Sequence, residues 1–373
     1  MVNIKVVPYT DEWIDQVIHF NKRLKAGGSS YQFPEYTVSE WLPKRTDRNI
    51  WQEYYIAIDD ENIVRGGYFL KPQRFWLKNS EFSMASIMLP LSEGIVDRKY
   101  AGVGKQILDD ALSREENLIA VGIGQTSEPA ARFLCKNKWG IYEVPFFFKV
   151  IHPSKFFKNL VYLRRSNVRK KLLDLVAYLG LPGIIVKGFQ KIRSHRCSPK
   201  KGIKTETFDS FGTWADELWM KSRSEYVFSA VRDSNTLNIL YPPEESRFIK
   251  LLIKDSDEPI GWVIVIATQW ENHNHFGAMK LGSIPDCLAL PGRELDLVYN
   301  AVKVLQSHDI DLIVSNQAHR RWCDALRSCG FLSGPSNWLF TSSVSLTEKL
   351  APYEKNREFI HLNRGDGRGP VNL

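Results

Sequence analysis

The stretch Lys99-Tyr-Ala-Gly102-Val-Gly104-Lys105 carries the residue types that seat a phosphate. Its two glycines open a helical pattern that runs through Ile107, Leu108 and Leu112. Such a turn leaves backbone N–H groups free at the positive end of a helix dipole, where an oxyanion is stabilised. Lys99 and Lys105 flank that seat with positive charge. Other side-chain chemistries lack a matching spacing. The five cysteines, at 135, 197, 287, 323 and 329, form no CxxC pair, so they read as reduced thiols of a cytoplasmic protein and not as a zinc site. The eight histidines fall into no Ser-His-Asp or Cys-His arrangement. His273 and His275 would share a strand face, but the polar run around them reads as a hairpin tip. No metal is expected.

The elements that must position the loop follow from periodicity. Residues 4–8 read as a strand, and Asp11 caps a helix whose apolar positions run from Trp13 to Leu24 and which ends at Gly27-Gly28. A polar and aromatic loop follows at 29–36, then a short helix near 38–43. Strands are expected at 54–58, 63–70 and 82–91, the last leading into the glycine loop and a helix over 102–114. A buried strand (118–124), a helix (128–137) and an aromatic strand (144–151) complete an α/β half with a mixed sheet. The second half repeats this order between residues 205 and 342. Leu118 to Trp139 spans 21 residues and Asp311 to Phe331 spans 20, while Trp139 to Phe146 and Phe331 to Trp338 are both seven apart. That recurrence argues for two copies of one fold.

At 373 residues, 43% hydrophobic and 25% charged, the chain suits two soluble domains. Neither a secretory leader nor a membrane-spanning run is visible. The net charge of +8 is local in origin: residues 153–204 hold 14 Lys and Arg against the single acid Asp174, so the remainder is net acidic. A helix over 167–179, with an apolar side and a basic side, lies in this connector. A solvated amphipathic helix, an interfacial membrane helix and an RNA-binding segment all fit that composition. The expected division is therefore 1–152, a basic connector 153–204, a second domain 205–345 and a tail 346–373.

With these residues assembled, the chain resembles the GNAT (N-acetyltransferase) superfamily, as a tandem of two such domains. The family's pyrophosphate loop, (Arg/Gln)-x-x-Gly-x-(Gly/Ala), is matched by Lys99-Tyr100-Ala101-Gly102-Val103-Gly104, with Lys99 replacing the usual residue. The "Gly-Phe" helix end stands at Gly330-Phe331 in the second half, while the first half has Lys138-Trp139 there. The layout is similar to tandem members associated with bacterial surface-polysaccharide biosynthesis, which also carry an Arg-Asp segment, here Arg232-Asp233. The corresponding loop of the second half, Leu288 to Asp296, has one glycine, a proline and two acids, and would repel a diphosphate.

The resemblance implies acyl transfer from acetyl-CoA or another acyl-CoA, bound by Leu91 and residues 99–105 of the first half, to an amine such as an amino sugar. Glu93, with Ser92 beside it, is the implied base. The family's usual tyrosine acid is replaced by Leu134, which leaves Tyr142 and Cys135 as alternatives, Cys135 reading more readily as a buried apolar residue. Tyr31 and Tyr36 are the implied acceptor contacts, by stacking on a ring. Peripheral membrane contact through 153–204 accompanies this reading, and nucleic acid is not an expected partner. The runner-up is a Fem-type peptidyltransferase using aminoacyl-tRNA, and a non-catalytic CoA-binding tandem also fits.

Overall fold

The computed structural model describes residues 2–37, 42, 49–159, 202–271 and 277–367. The helices expected near 38–43 and over 167–179, and the pair His273 and His275, lie outside the described residues. The chain divides into two compact units, one made of residues 1–75, 80–142 and 339–353, the other of 76–79, 143–338 and 354–373. These ranges cross the expected division, which followed chain order.

In the first unit, labelled in chain order, β1 is Lys5–Pro8, α1 Ile14–Ala26, β2 Glu53–Ile58, β3 Val64–Leu77, β4 Ser80–Ser92, α2 Val103–Arg114, β5 Leu118–Val121, α3 Pro129–Lys136 and β6 Gly140–Glu143. A strand from far along the chain, β15 (Leu339–Ser342), joins them, followed by the helix α9 (Val344–Leu350; sixteen strands and nine helices carry labels below). The sheet order is β1-β2-β3-β4-β5-β15-β6. Helix α1 buries Val17, Phe20 and Leu24, the i, i+3, i+7 stripe, in one core with Phe33, Phe69 and Met88. Helix α2 buries Val103, Ile107, Leu108 and Ala111 in a separate core with Tyr68, Ala85 and Ile87. Two cores with different strand residues place α1 and α2 on opposite faces of the sheet.

In the second unit β7 is Phe146–Val150, α4 Pro153–Asn159, β8 Ile203–Thr207, α5 Thr213–Ser222, β9 Phe228–Ala230, α6 Ser234–Leu240, β10 Ile249–Asp255, β11 Glu258–Gln269, β12 Lys280–Ala289, α7 Glu294–Ser307, β13 Leu312–Asn316, α8 Arg320–Ser328, β14 Leu332–Gly334 and β16 Ile360–His361. Its sheet runs β8-β10-β11-β12-β13-β7-β14. The two orders match place for place. In each, the strand between the fifth and the last comes from the other half of the chain: β15 pairs with β5 in the first unit, and β7 pairs with β13 in the second. The repeat is thus present, with its sixth strands exchanged. The strand expected over 144–151 is β7, which begins after Pro145; β6 lies just before that run, and the two enter different sheets.

In each sheet a parallel pair in the middle of the order parts early. In the first unit β4 meets β5 at Ala85–Leu118 and Ser86–Ile119 and then leaves it, with Leu89 at φ +46° in the departing stretch. In the second, β12 meets β13 at Leu281–Leu312, Gly282–Ile313 and Ser283–Val314 and then leaves it. Residues 360–366, expected as part of a tail, fill this second gap. Asn363 Nδ2 donates to Asp286 Oδ1 on β12 at 2.8 Å, the Ala318 amide after β13 donates to Leu362 O at 3.0 Å, and Asn363 bridges Gln317. Arg232 locks the segment with Nε on Asp286 Oδ1 (3.0 Å) and Nη2 on Asp366 (3.0 and 3.1 Å). Asp233, the neighbour flagged with it, caps α6 through the Thr236 amide.

The His361 ring lies between Tyr226 (centroids 4.7 Å apart) and Trp322 (6.2 Å), nearly parallel to both. Burial pushes His361 well below its ordinary pKa and His319 down to about 4, with nearby Arg232 and Arg321 acting in the same direction. The unfolded chain takes up the His319 proton near pH 6.5 and the folded chain only near pH 4. Stability is therefore complete above that upper value and falls as the pH drops through the window. Between pH 7.5 and 4.5 His319 alone is expected to remove about 2.5 kcal/mol. Denaturant titrations at both pH values check this: the drop should shrink in His319→Gln, and an equal drop in the variant would refute it.

Candidate active site

Helix α2 begins without a side-chain cap. Its N-cap, Gly102, has φ −76° and ψ −18°, and the amides of Lys105 and Gln106 both turn back to the Gly102 carbonyl. The amides of residues 102–104 meet no acceptor among the described residues, as the first turn of a helix requires when nothing caps it. Gly102 does not use the left-handed backbone that favours glycine, so what its glycine provides is bare backbone over those N–H groups. A methyl group in place of the Gly104 hydrogen would stand 3.5 Å from Ser92 Oγ, which puts that hydroxyl at the same helix end. Arg98, Lys99 and Lys105 are exposed around it, Lys105 sharing its charge with Asp109. An anion such as a diphosphate fits this donor set.

The loop that leads into α2 is tightly built. Asp97 accepts from the Lys99 amide at 2.8 Å, and the Tyr100 amide returns to the Asp97 carbonyl. Gly94 packs so closely under this turn that a Cβ there would lie 2.5 Å from Tyr100 O. Below the loop Glu93 is buried and accepts from Arg23 Nε (2.8 Å), Arg23 Nη2 (3.1 Å) and Arg65 Nη1 (3.1 Å). Arg65 also bonds Asp59 at 2.7 Å and lies over the Tyr100 ring at 4.2 Å. Glu93 thus ties α1 and β3 to the start of the loop. Both oxygens of this carboxylate are engaged by guanidinium groups, an arrangement suited to positioning the loop. Glu93→Ala is expected to cost about 2–3 kcal/mol, because it takes the carboxylate from Arg23 and Arg65 and leaves the well-buried Arg65 with Asp59 alone. Chemical denaturation reads this, and an unchanged midpoint would show the network contributes nothing.

The other expected residues are distributed unevenly. Leu91 and Tyr100 are buried, Leu91 at the end of β4 and Tyr100 within the loop, while Ala101 is exposed. Tyr142 stands on β6, two strand places from β5, stacked on Tyr353 (centroids 3.4 Å apart) and Phe340 (5.8 Å). The structure does not bring it to Ser92. Leu134 is buried in the α2 core, and Cys135, read as buried, is exposed. Phe33 is core, held by reciprocal bonds with Asn21 (2.8 and 2.7 Å), and Tyr31 and Tyr36 on either side of it are 60% and 51% exposed. Arg23, Arg65 and Asn21 carried no local signal toward Glu93 and Phe33, which lie 12 to 70 residues from them.

In the second unit the matching helix end is occupied by the chain's own acids. Glu294 and Asp296 stand in the first turn of α7, and Arg293 forms an ion pair with Asp296 (2.8 Å) and donates to Asp255 (2.7 Å). Burial raises the Glu294 pKa above its ordinary value. Among the described residues no group of His, Cys, Asp and Glu could hold a metal ion, and no helix is long and apolar enough to cross a membrane.

No protein-family model matches the sequence, and no curated protein does. Solved structures do. The GCN5-related glucosamine N-acetyltransferase region of a fungal multi-domain GH3 β-N-acetylglucosaminidase aligns with 91% of this chain at 14% identity and a TM-score of 0.51, the chain spanning 38% of that protein's length. N-myristoyltransferase of Saccharomyces cerevisiae, solved with myristoyl-CoA, aligns with 92% of this chain and 79% of its own at 9% identity and a TM-score of 0.54. A GCN5-related N-acetyltransferase from Anabaena variabilis aligns with 91% and 72% at 12% identity and a TM-score of 0.50. At these identities the likeness is one of fold.

Proposed function

We propose that this chain, built on the GCN5-related N-acetyltransferase fold, is an acyl-CoA-dependent acyltransferase whose first unit holds the acyl-CoA. The observation that carries this reading is the contrast between two matching helix ends: α2 opens on bare, uncapped amides, and α7 opens on two acids. The diphosphate of CoA would take the amides at 102–104, with Ser92 Oγ, Lys99 and Lys105 around it. The thioester end would enter the gap where β4 leaves β5, beyond Leu91, since strand amides that have lost their ladder partner are donors for a thioester oxygen. Transfer breaks the thioester C–S bond and forms a C–N bond, while the amine gives up one proton and the thiolate gains one. Glu93 positions the loop in this reading.

The acceptor we propose is the amino group of a sugar, such as a precursor of a surface polysaccharide. The fungal region with this fold acts on glucosamine, and exposed Tyr31 and Tyr36 offer rings for stacking. A cytoplasmic enzyme brought to an anionic membrane by the basic segment 153–204 would meet lipid-linked sugars there. The assay is thiol release from acetyl-CoA with glucosamine-type acceptors: release should require the acceptor. CoA binding with no release for any acceptor would favour a non-catalytic tandem. Absence of CoA binding, alongside salt-sensitive binding of tRNA, would favour the Fem-type reaction.

A further inference from the structure

The segment that fills the gap between β12 and β13 holds a charged side chain that no acid among the described residues answers. From Ile360 to Asp366 every residue is buried except Arg364, which is half-buried. Its Nε donates to Asn316 Oδ1 at 2.7 Å. Its four remaining N–H donors meet no acceptor among the described residues, and no carboxylate pairs with it there. The acids nearest in sequence and along β12 are already engaged, because Arg232 holds both Asp286 and Asp366. Loss of water around Arg364, the sole cause at work, brings its pKa down to about 10. A guanidinium in such surroundings is ordinarily paired, since leaving a desolvated charge without a counter-charge is costly.

Its location matters as much as its lack of a partner. Asn316 ends β13, two residues past the last pair with β12, and its own amide is turned to Asn337 Oδ1 (3.1 Å). Sheets with parallel strands take ligands at the carboxyl ends of strands that diverge. Here the gap itself is closed by the chain, and the side chain left at the carboxyl end of β13 is a guanidinium fixed through Nε. That leaves its planar Nη face for bidentate contact with an oxyanion.

We infer that Arg364 is the receptor of an oxyanion site in the second unit, binding the carboxylate or phosphate of a small-molecule ligand. The site is separate from the α2 seat and does not depend on acyl-CoA binding there. Side-chain NMR of the full chain carrying labelled arginine tests it, with the Arg364 Nε resonance identified by its disappearance in Arg364→Lys. Inorganic phosphate and acetate are titrated at constant ionic strength, in the native chain and in Gly104→Glu, where the first unit's seat is blocked. A saturable shift with phosphate alone indicates a phosphate-bearing ligand, with acetate alone a carboxylate, and either supports the site. Calorimetric affinity for the effective anion should fall at least tenfold in Arg364→Met in the Gly104→Glu background. Linear, non-saturating shifts with both anions, or affinity equal in Arg364→Met, would overturn the inference. Thermal unfolding confirms that the compared chains are folded.

Discussion

A chain stopped after residue 152 is expected to yield no folded first unit. It would lack β15 and α9, which bury Leu339, Phe340, Leu346 and Leu350 completely. Burial of each large apolar side chain contributes about 1.5–3 kcal/mol, so the four together approach the whole stability of an ordinary domain, on the order of 5–15 kcal/mol. The polar losses add to this. Gly122 N–Leu339 O (3.0 Å), Ser343 N–Leu118 O (2.8 Å) and Thr341 Oγ1–Ala120 O (2.8 Å) would disappear, leaving β5 with an open edge beside an apolar face. Circular dichroism and limited proteolysis decide the matter, and a soluble fragment with a cooperative melt would refute it. In the full chain, Phe340→Ala should cost about 3–5 kcal/mol. A peptide of residues 336–353 added to the fragment should restore part of its protease resistance.

Gly104→Glu should weaken acyl-CoA binding at least a hundredfold, which is about 2.7 kcal/mol, while leaving the fold intact. The position is helical, so a side chain is tolerated by the backbone, and its nearest neighbour is a hydroxyl at ordinary contact distance. The effect comes from charge: a carboxylate in the first turn of α2 would repel the diphosphate, and the first turn of α7 already carries two such acids, Glu294 and Asp296. Calorimetric titration with CoA separates binding from folding. Retained affinity would place the CoA elsewhere. Gly104→Ala should lose much less, because it adds bulk without charge.

The loop and the helix behind it were readable because the signal is local, two glycines followed by apolar residues at helical spacing. The repeat was readable through Trp139–Phe146 and Phe331–Trp338, whose equal spacing reflects equal elements. The exchange of strands was not, since Phe146–Val150 and Leu339–Ser342 are both short and apolar, and either pattern fits the slot beside a fifth strand. Pro145 was the available clue: it cannot donate to a ladder and so separates β6 from β7. The polar centres escaped for a different reason. Glu93 with Arg23 and Arg65, and Arg232 with Asp286 and Asp366, are pairings set by the fold, and periodicity says nothing about which acid meets which base. Residues 346–373 read as a tail because their composition is polar, although that polarity faces inward at Asn363 and Asp366.

The exchanged strands also impose an order on synthesis. When Glu143 has left the ribosome, the strands of the order β1 to β6 are present except the one that belongs between β5 and β6, and that strand follows about two hundred residues later. At roughly 5–20 residues per second, the first half waits on the order of 10–40 s with a gap in its sheet. Through that interval β7, emerging next and built on the same pattern, is the nearest strand able to enter the gap. The nascent chain must leave that slot empty for a strand not yet made.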